Sequence, residues 1–248
     1  MTIANSRPRA LVVRAPGTNR DSDAVFALEQ AGADAHVGLL SEILETPSLL
    51  HNAQMLLLPG GFSFADALGA GRLFALELST RLTAELAAFV AAGKPVIGIC
   101  NGFQALIRTG LLPGPNLKAA LGPNDHGRFT CEWVQLQPVS QRCIWTADLD
   151  ADIHCPIAHG EGRFVCDDTT LTALHSNDQI ALRYSSPNPN GSVADIAGIC
   201  DTTGLVLGLM PHPEDHIVQR QHPQFIRGHR GGIGLGLFQA GVRHASQL

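Results

Sequence analysis

Three side chains in this sequence have the types needed for acyl transfer: Cys100, His212 and Glu214. Cys100 sits in "KPVIGICNGFQAL", residues 94–106, where an apolar run ends and a helical pattern begins at once. Gly98 and Gly102 stand two residues to either side of it. Strand, Gly-Ile-Cys-Asn-Gly, helix is the layout of a nucleophile elbow with cysteine in place of serine. A nucleophile held on such a turn needs room around it, which glycine provides. The helix that follows offers unpaired N–H groups and its positive end, and both favour thiolate over thiol. The N–H of Asn101 is placed to stabilise an oxyanion. The competing reading of Cys100 is a small buried side chain at a strand end. This stretch alone leaves both open.

A reactive thiol needs a base. The chain has 11 histidines, so their number decides nothing, but "MPHPED" (210–215) follows an apolar strand. Pro213 drives His212 toward an extended conformation. In an extended segment, residues two apart point the same way. Glu214 can then hold one ring nitrogen of His212 and leave the other for the thiol. A polar loop after a strand is the alternative. His212, Glu214 and His216 also spell H-x-E-x-H, but no second ligand cluster of recognised spacing accompanies it, so no metal is assigned. Pro59-Gly60-Gly61 ends another apolar strand and can bring backbone N–H groups close to a ligand, or simply turn. "AHGEGRF" (158–164) and "NPNGS" (188–192) each read as turns or hairpins. Neither P-loop nor G-x-G-x-x-G spacing occurs.

The elements that must carry these residues follow from periodicity. Apolar strands are predicted at 9–16, 34–40, 54–61 and 95–100, with helices at 21–32 and 101–110. Residues 64–93 read as helix in two pieces, split near Gly69 to Gly71. Continuous apolar strands alternating with helices imply a parallel sheet covered on both faces. Residues 128–139, 142–149 and 179–186 read as strands with no clear helix between them, which adds an antiparallel section. The apolar phase slips at Trp133 and Val134 and suggests a bulge. The strand style resumes at 205–214, and 234–245 reads as a closing helix. The basic, polar segment 219–232 reads as a surface loop of a single domain spanning 1–248.

Composition sets bounds. The 248 residues are 45% hydrophobic and 16% charged, a globular balance, and the formal charge of −5 gives no basic field for nucleic acid. No apolar stretch is long enough to span a membrane, and the start lacks a signal-peptide pattern. The six cysteines form no C-x-x-C pair, so a reducing, cytoplasmic setting is expected.

Taken together, "PGGFSFADALGAG", "GICNGFQAL", "RFTCEW", "AHGEGRF", "NPNGSVADIAGI" and "GLMPHPED" resemble, in order, the class I (triad) glutamine amidotransferases. The closest resemblance is to the glutaminase subunits of phosphoribosylformylglycinamidine synthase, and it covers residues 9–216. It implies a flavodoxin-like parallel sheet flanked by helices, with an added antiparallel β section. It implies Cys100 as nucleophile, His212 as base and Glu214 as its orienter. Gly61 and Asn101 match the backbone oxyanion donors, and Gly60 belongs to the same substrate-binding turn. Gln104 matches a residue of the glutamine pocket, with His159 and Gly160 near it. L-glutamine would be hydrolysed through a thioester and the ammonia passed to a synthetase subunit. That partner would carry ATP and Mg, this chain would carry no cofactor, and a small third subunit stays open. Phe64 and Ala65 stand where such proteins commonly have Tyr and Gly. Gly69 stands where an arginine often follows, and Arg72 comes later. A triad amidotransferase serving another acceptor, and a non-catalytic scaffold subunit, are the alternatives.

Overall fold

The computed structural model describes residues 7–185 and 187–248. Ser186, the last residue of one predicted strand, and residues 1–6 of the predicted domain lie outside them. The strands are β1 (Arg9–Arg14), β2 (Asp34–Leu39), β3 (Met55–Leu58), β4 (Val96–Ile99), β5 (Ala119–Gly122), β6 (Thr130–Pro138), β7 (Ile153–His159), β8 (Arg163–Cys166), β9 (Ile180–Tyr184), β10 (Ile196–Cys200) and β11 (Val206–Leu209). The helices are α1 (Asp21–Gln30), α2 (Leu40–Glu45), α3 (Ser48–His51), α4 (Arg72–Arg81), α5 (Thr83–Ala91), α6 (Asn101–Thr109), α7 (Asp168–Ser176) and α8 (Leu235–Ala245).

Nine strands form one sheet in the order β2-β1-β3-β4-β11-β10-β9-β6-β7. The first five pair parallel in the flavodoxin order. From β11 to β7 every pairing is antiparallel. β5 and β8 form a separate two-stranded antiparallel sheet. The expected α/β architecture with an antiparallel section is therefore present. Every residue of β3, β4 and β11 is buried, which is why these strands read as unbroken apolar runs. Each leucine or isoleucine so buried contributes about 1.5–3 kcal/mol. In an open parallel sheet, ligands bind beyond the carboxyl ends of the strands. Here that edge receives Asn19 and Arg20 after β1, Gly60 and Gly61 after β3, Cys100 after β4 and His212 after β11.

Several expectations are corrected. Residues 142–149 form turns, not a strand. Their apolar side chains mimic alternation because Cys143 and Trp145 are buried individually, and the Trp145 indole donates to the Leu205 carbonyl at 2.9 Å. The helix α7 was unforeseen. Its threonines are poor helix formers, yet Asp167 caps it by accepting from the Thr170 N–H at 2.7 Å. The two helices in 64–93 divide at Leu82, while Gly71 instead caps the start of α4. No bulge interrupts β6, whose register with β7 runs unbroken from Thr130 to Leu136. Trp133 broke the apolar phase because it lies on the other face, where His154, His216 and His222 pack against its ring. The loop 158–164 is shared between the end of β7 and the start of β8.

Candidate active site

Cys100 joins β4 to α6 with φ +48° and ψ −104°, a conformation that costs a non-glycine residue about 1–3 kcal/mol. Two backbone bonds hold it there. Its N–H donates to the Leu209 carbonyl at 2.8 Å, and its carbonyl accepts from the Gln104 N–H at 3.0 Å. The flanking glycines serve packing more than the turn itself. A Cβ on Gly102 would lie 2.0 Å from the Leu58 carbonyl oxygen, so α6 rests directly on β3. The thiol is mostly buried, with 7% of the residue exposed, and opens on a cleft of about 230 Å³.

His212 is fixed from below by its N–H, which donates to the Pro156 carbonyl at 2.8 Å. Its Nδ1 lies 2.7 Å from Glu214 Oε1. Pro213–Asp215 is a short 3₁₀ turn, so the pair meets across one turn and not along the extended segment expected. With Nδ1 engaged, Nε2 is left free, and the Cys100 thiol lines the same cleft. Burial alone would pull the His212 pKa down. The Glu214 carboxylate, followed by Cys100, outweighs it and holds the imidazole well above its ordinary value. A side chain at Gly60 would come within 2.6 Å of His212 Cε1 and 3.2 Å of Cys100 Cβ. That glycine leaves the space in which thiol and imidazole meet. Asp215 lies next in line. Burial, then Glu214, pushes its carboxyl up to about 6, against the pull of His212 and of Arg20 at 3.5 Å.

Of the residues singled out in the sequence, Cys100, His212, Gly61, Asn101, Gln104, His159 and Gly160 all line the cleft. Gly60 and Glu214 stand behind it, against His212. Asn101 anchors the floor: its Oδ1 accepts from the Ser63 N–H at 3.2 Å, and its amide donates to Asp66 at 2.8 Å and to Gln104 at 3.0 Å. Gln104 in turn donates to the Glu161 carbonyl at 2.7 Å and ties α6 to the loop after β7. His159 Nδ1 bonds Asn124 Oδ1 at 3.1 Å. Burial, then the nearby His212, lowers its pKa to about 4. His216 turns away from this group. Its Nδ1 bonds the His154 carbonyl and its ring packs on Trp133, so H-x-E-x-H does not converge on one point.

The family model for the CobB/CobQ-like glutamine amidotransferase domain matches residues 7–245 of this sequence. The chain belongs to that family of glutamine amidotransferases. Its similarity to PurQ subunits of phosphoribosylformylglycinamidine synthase extends over nearly its whole length. The subunit from Treponema denticola is 47% identical, over 96% of this chain and 99% of that protein. The one from Dehalococcoides mccartyi is 40% identical, over 98% and 100%. The structure of PurLQS from Thermotoga maritima contains a chain 36% identical to this one, with a TM-score of 0.77 over 96% of this chain and 98% of that one.

Three further cleft residues of this amidotransferase were given no role in the sequence: Asp66 and Glu161 lie within the tracts 59–71 and 158–164, and Arg20 lies in none. Arg20, Asp66 and Glu161 bring one cation and two acids to the lining. Arg20 is braced by Asp23 at 3.1 Å as well as by Asp215. Burial raises the Asp66 carboxyl above its ordinary range. Gly69 carries no cation, and Arg72 borders a separate surface groove with Leu68 and Arg108. Asn124 organises the loop after β7, donating to the His159 carbonyl at 3.0 Å and accepting from the Gly162 N–H at 3.2 Å. The "NPNGS" turn was recognised as a turn, but its side chains point inward. Asn190 donates to the Gly162 carbonyl at 3.0 Å, and the Ser192 hydroxyl accepts from the Phe164 N–H at 2.9 Å.

Proposed function

We propose that this amidotransferase is the glutaminase subunit of phosphoribosylformylglycinamidine synthase, with Cys100, His212 and Glu214 as its catalytic triad. The observation that carries the reading is His212 bonded to a buried Glu214 and lining, with the Cys100 thiol, one amino-acid-sized cleft. His212 Nε2 takes the thiol proton, and the sulfur attacks the side-chain amide carbon of L-glutamine. The oxyanion faces the N–H groups of Asn101, at the start of α6, and of Gly61. His212 returns its proton to the departing nitrogen, and ammonia leaves behind a γ-glutamyl thioester. His212 then takes a proton from water. The resulting hydroxide displaces the sulfur and releases glutamate, and the thiol is reprotonated. Glu214 keeps the ring oriented and stabilises its charged form throughout.

Substrate recognition follows from the lining. Arg20 offers a cation for the α-carboxylate of glutamine, and Asp66 and Glu161 offer acceptors for its ammonium. Gln104, His159 and Gly160 shape the pocket, and Gly60 keeps the nucleophile and base within reach. The ammonia passes to a synthetase subunit, which uses ATP and Mg to activate the formyl amide of phosphoribosylformylglycinamide. A small third subunit completes the assembly, as the likeness to the PurQ chain of PurLQS supports. The chain works in the cytoplasm as one domain, without a cofactor of its own, a nucleic acid or a membrane. Among the described residues no helix is long and apolar enough to cross a membrane.

A glutamine-derived diazo-ketone tests this directly. It should alkylate Cys100 and spare the other five cysteines, as read by peptide mass mapping. Labelling spread over several cysteines, or absent from Cys100 in the assembled complex, contradicts the assignment.

A further inference from the structure

A second cluster of chemically competent side chains lies outside the cleft. His154 on β7 meets His222 and His229, and one ring nitrogen from each lies within 4.8 Å of the others. His222 Nε2 and His154 Nδ1 are 3.0 Å apart, and the His222 and His229 rings stack at 3.6 Å. Trp133 packs its ring against His154 and His222 and screens them from water. His229 Nε2 is buried with no hydrogen-bond partner among the described residues. Burial, followed by the neighbouring rings, holds both His154 and His222 below their ordinary values. Imidazole binds a metal through an unprotonated ring nitrogen.

We propose that His154, His222 and His229 form a site for a borderline-soft divalent cation of the zinc class, with water in the fourth position. Imidazole donors select zinc, copper or nickel over magnesium or calcium. A tetrahedral ion with nitrogens at about 2.0–2.1 Å sets its donors about 3.3 Å apart. His154 and His222 already stand near that spacing, the widest pair must close by about 1.5 Å, and the His229 ring must turn out of its stack on His222 to aim its lone pair at the ion. His222 Nδ1 accepts from the Gln224 N–H at 3.1 Å, so its proton sits on Nε2 in the metal-free chain. Metal binding at Nε2 moves that proton to Nδ1 and gives up the local contact.

The site's place in the fold suggests its purpose. His154 and Ala158 share a face of β7, and Ala158 lines the cleft roughly 13 Å further along the strand. His222 and His229 belong to the segment that follows Glu214, whose far end is pinned where the His154 N–H donates to the Gly232 carbonyl at 2.7 Å. An ion here latches residues 216–232 onto β7 and stiffens the turn that presents His212 and Glu214. The role is structural and is independent of the glutaminase reading.

The test uses the full chain carrying Cys100→Ala, so that the triad thiol cannot compete, stripped of metal with a chelator and titrated with Co²⁺ and then Zn²⁺. We expect one equivalent of Co²⁺ to bind with the visible bands of a four-coordinate nitrogen site and to be displaced by Zn²⁺. Protease protection of the 219–232 segment should rise with it. His229→Ala, at a partly exposed position and with its fold checked by circular dichroism, should weaken binding by about tenfold or more. His36→Ala, on the exposed side of β2, should leave binding unchanged. No binding at micromolar Co²⁺, thiolate-to-cobalt charge-transfer bands, or affinity unaltered by His229→Ala would each overturn the proposal.

Discussion

Glu214 is the side chain whose placement is hardest to explain without a chemical role. The residue is 1% exposed, and its Oε2 is buried with no hydrogen-bond partner among the described residues. A carboxylate in that position is stabilised mainly by a charged His212. Glu214→Gln should therefore let the imidazole pKa fall and lower kcat by about 10²–10⁴, with little change in KM, in steady-state glutaminase assays of the complex. His159 makes a different prediction. Its pKa is near 4 in the fold against an ordinary 6.5, so the unfolded chain binds the proton first. The stability due to neutral His159 is complete above about pH 6.5 and is lost as pH falls toward 4, a change on the order of 3 kcal/mol. Urea titrations of His159→Gln should show a flatter pH dependence across that window; an unchanged slope contradicts it. Cys100, His212 and Glu214 were legible because their motifs carry strained backbone and prolines. Arg20 and Asn124 were not, because lone polar residues in loops look alike until the fold brings them together.

At the scale of elements, the close seat of α6 on β3 fixes where Cys100, the proposed nucleophile, stands. The Leu58 carbonyl lies where a Gly102 side chain would go, and neither backbone can retreat without moving Cys100. Gly102→Ala should lower stability by about 2–3 kcal/mol and reduce glutaminase activity together with it. A melt showing wild-type stability would mean that α6 is less firmly seated. The parallel strands could be read in advance because burial on both faces writes them as apolar runs. Residues 142–149 misled because single buried side chains copied a strand's alternation. The helix α7 was hidden because its cap, not its propensity, starts it. The phase slip at Trp133 was a real signal with another cause, a second covered face packed with histidines.

Across the whole molecule the two halves of the sheet divide the work. The parallel half delivers Cys100, Gly61 and His212 to one edge. The antiparallel half brings up β7 and the loop from His159 to Gly162, which forms the opposite wall of the cleft. Phe62 and Phe129 stack at 6.4 Å among the lining residues while remaining about half exposed, so an aromatic pair sits on the solvent side of the cleft. The flavodoxin-like half was written plainly in the sequence. The order of β9, β6 and β7 was not, because antiparallel pairing at long range leaves no local pattern. The central claim is that Cys100 releases ammonia for use elsewhere in an assembly. It is tested most directly by reconstituting the Cys100→Ala chain with its synthetase and comparing glutamine with ammonium as the nitrogen source. Loss of glutamine-dependent product with ammonium-dependent synthesis intact is the predicted result. Product formed from glutamine at the wild-type rate, or loss with both nitrogen sources, would contradict the account.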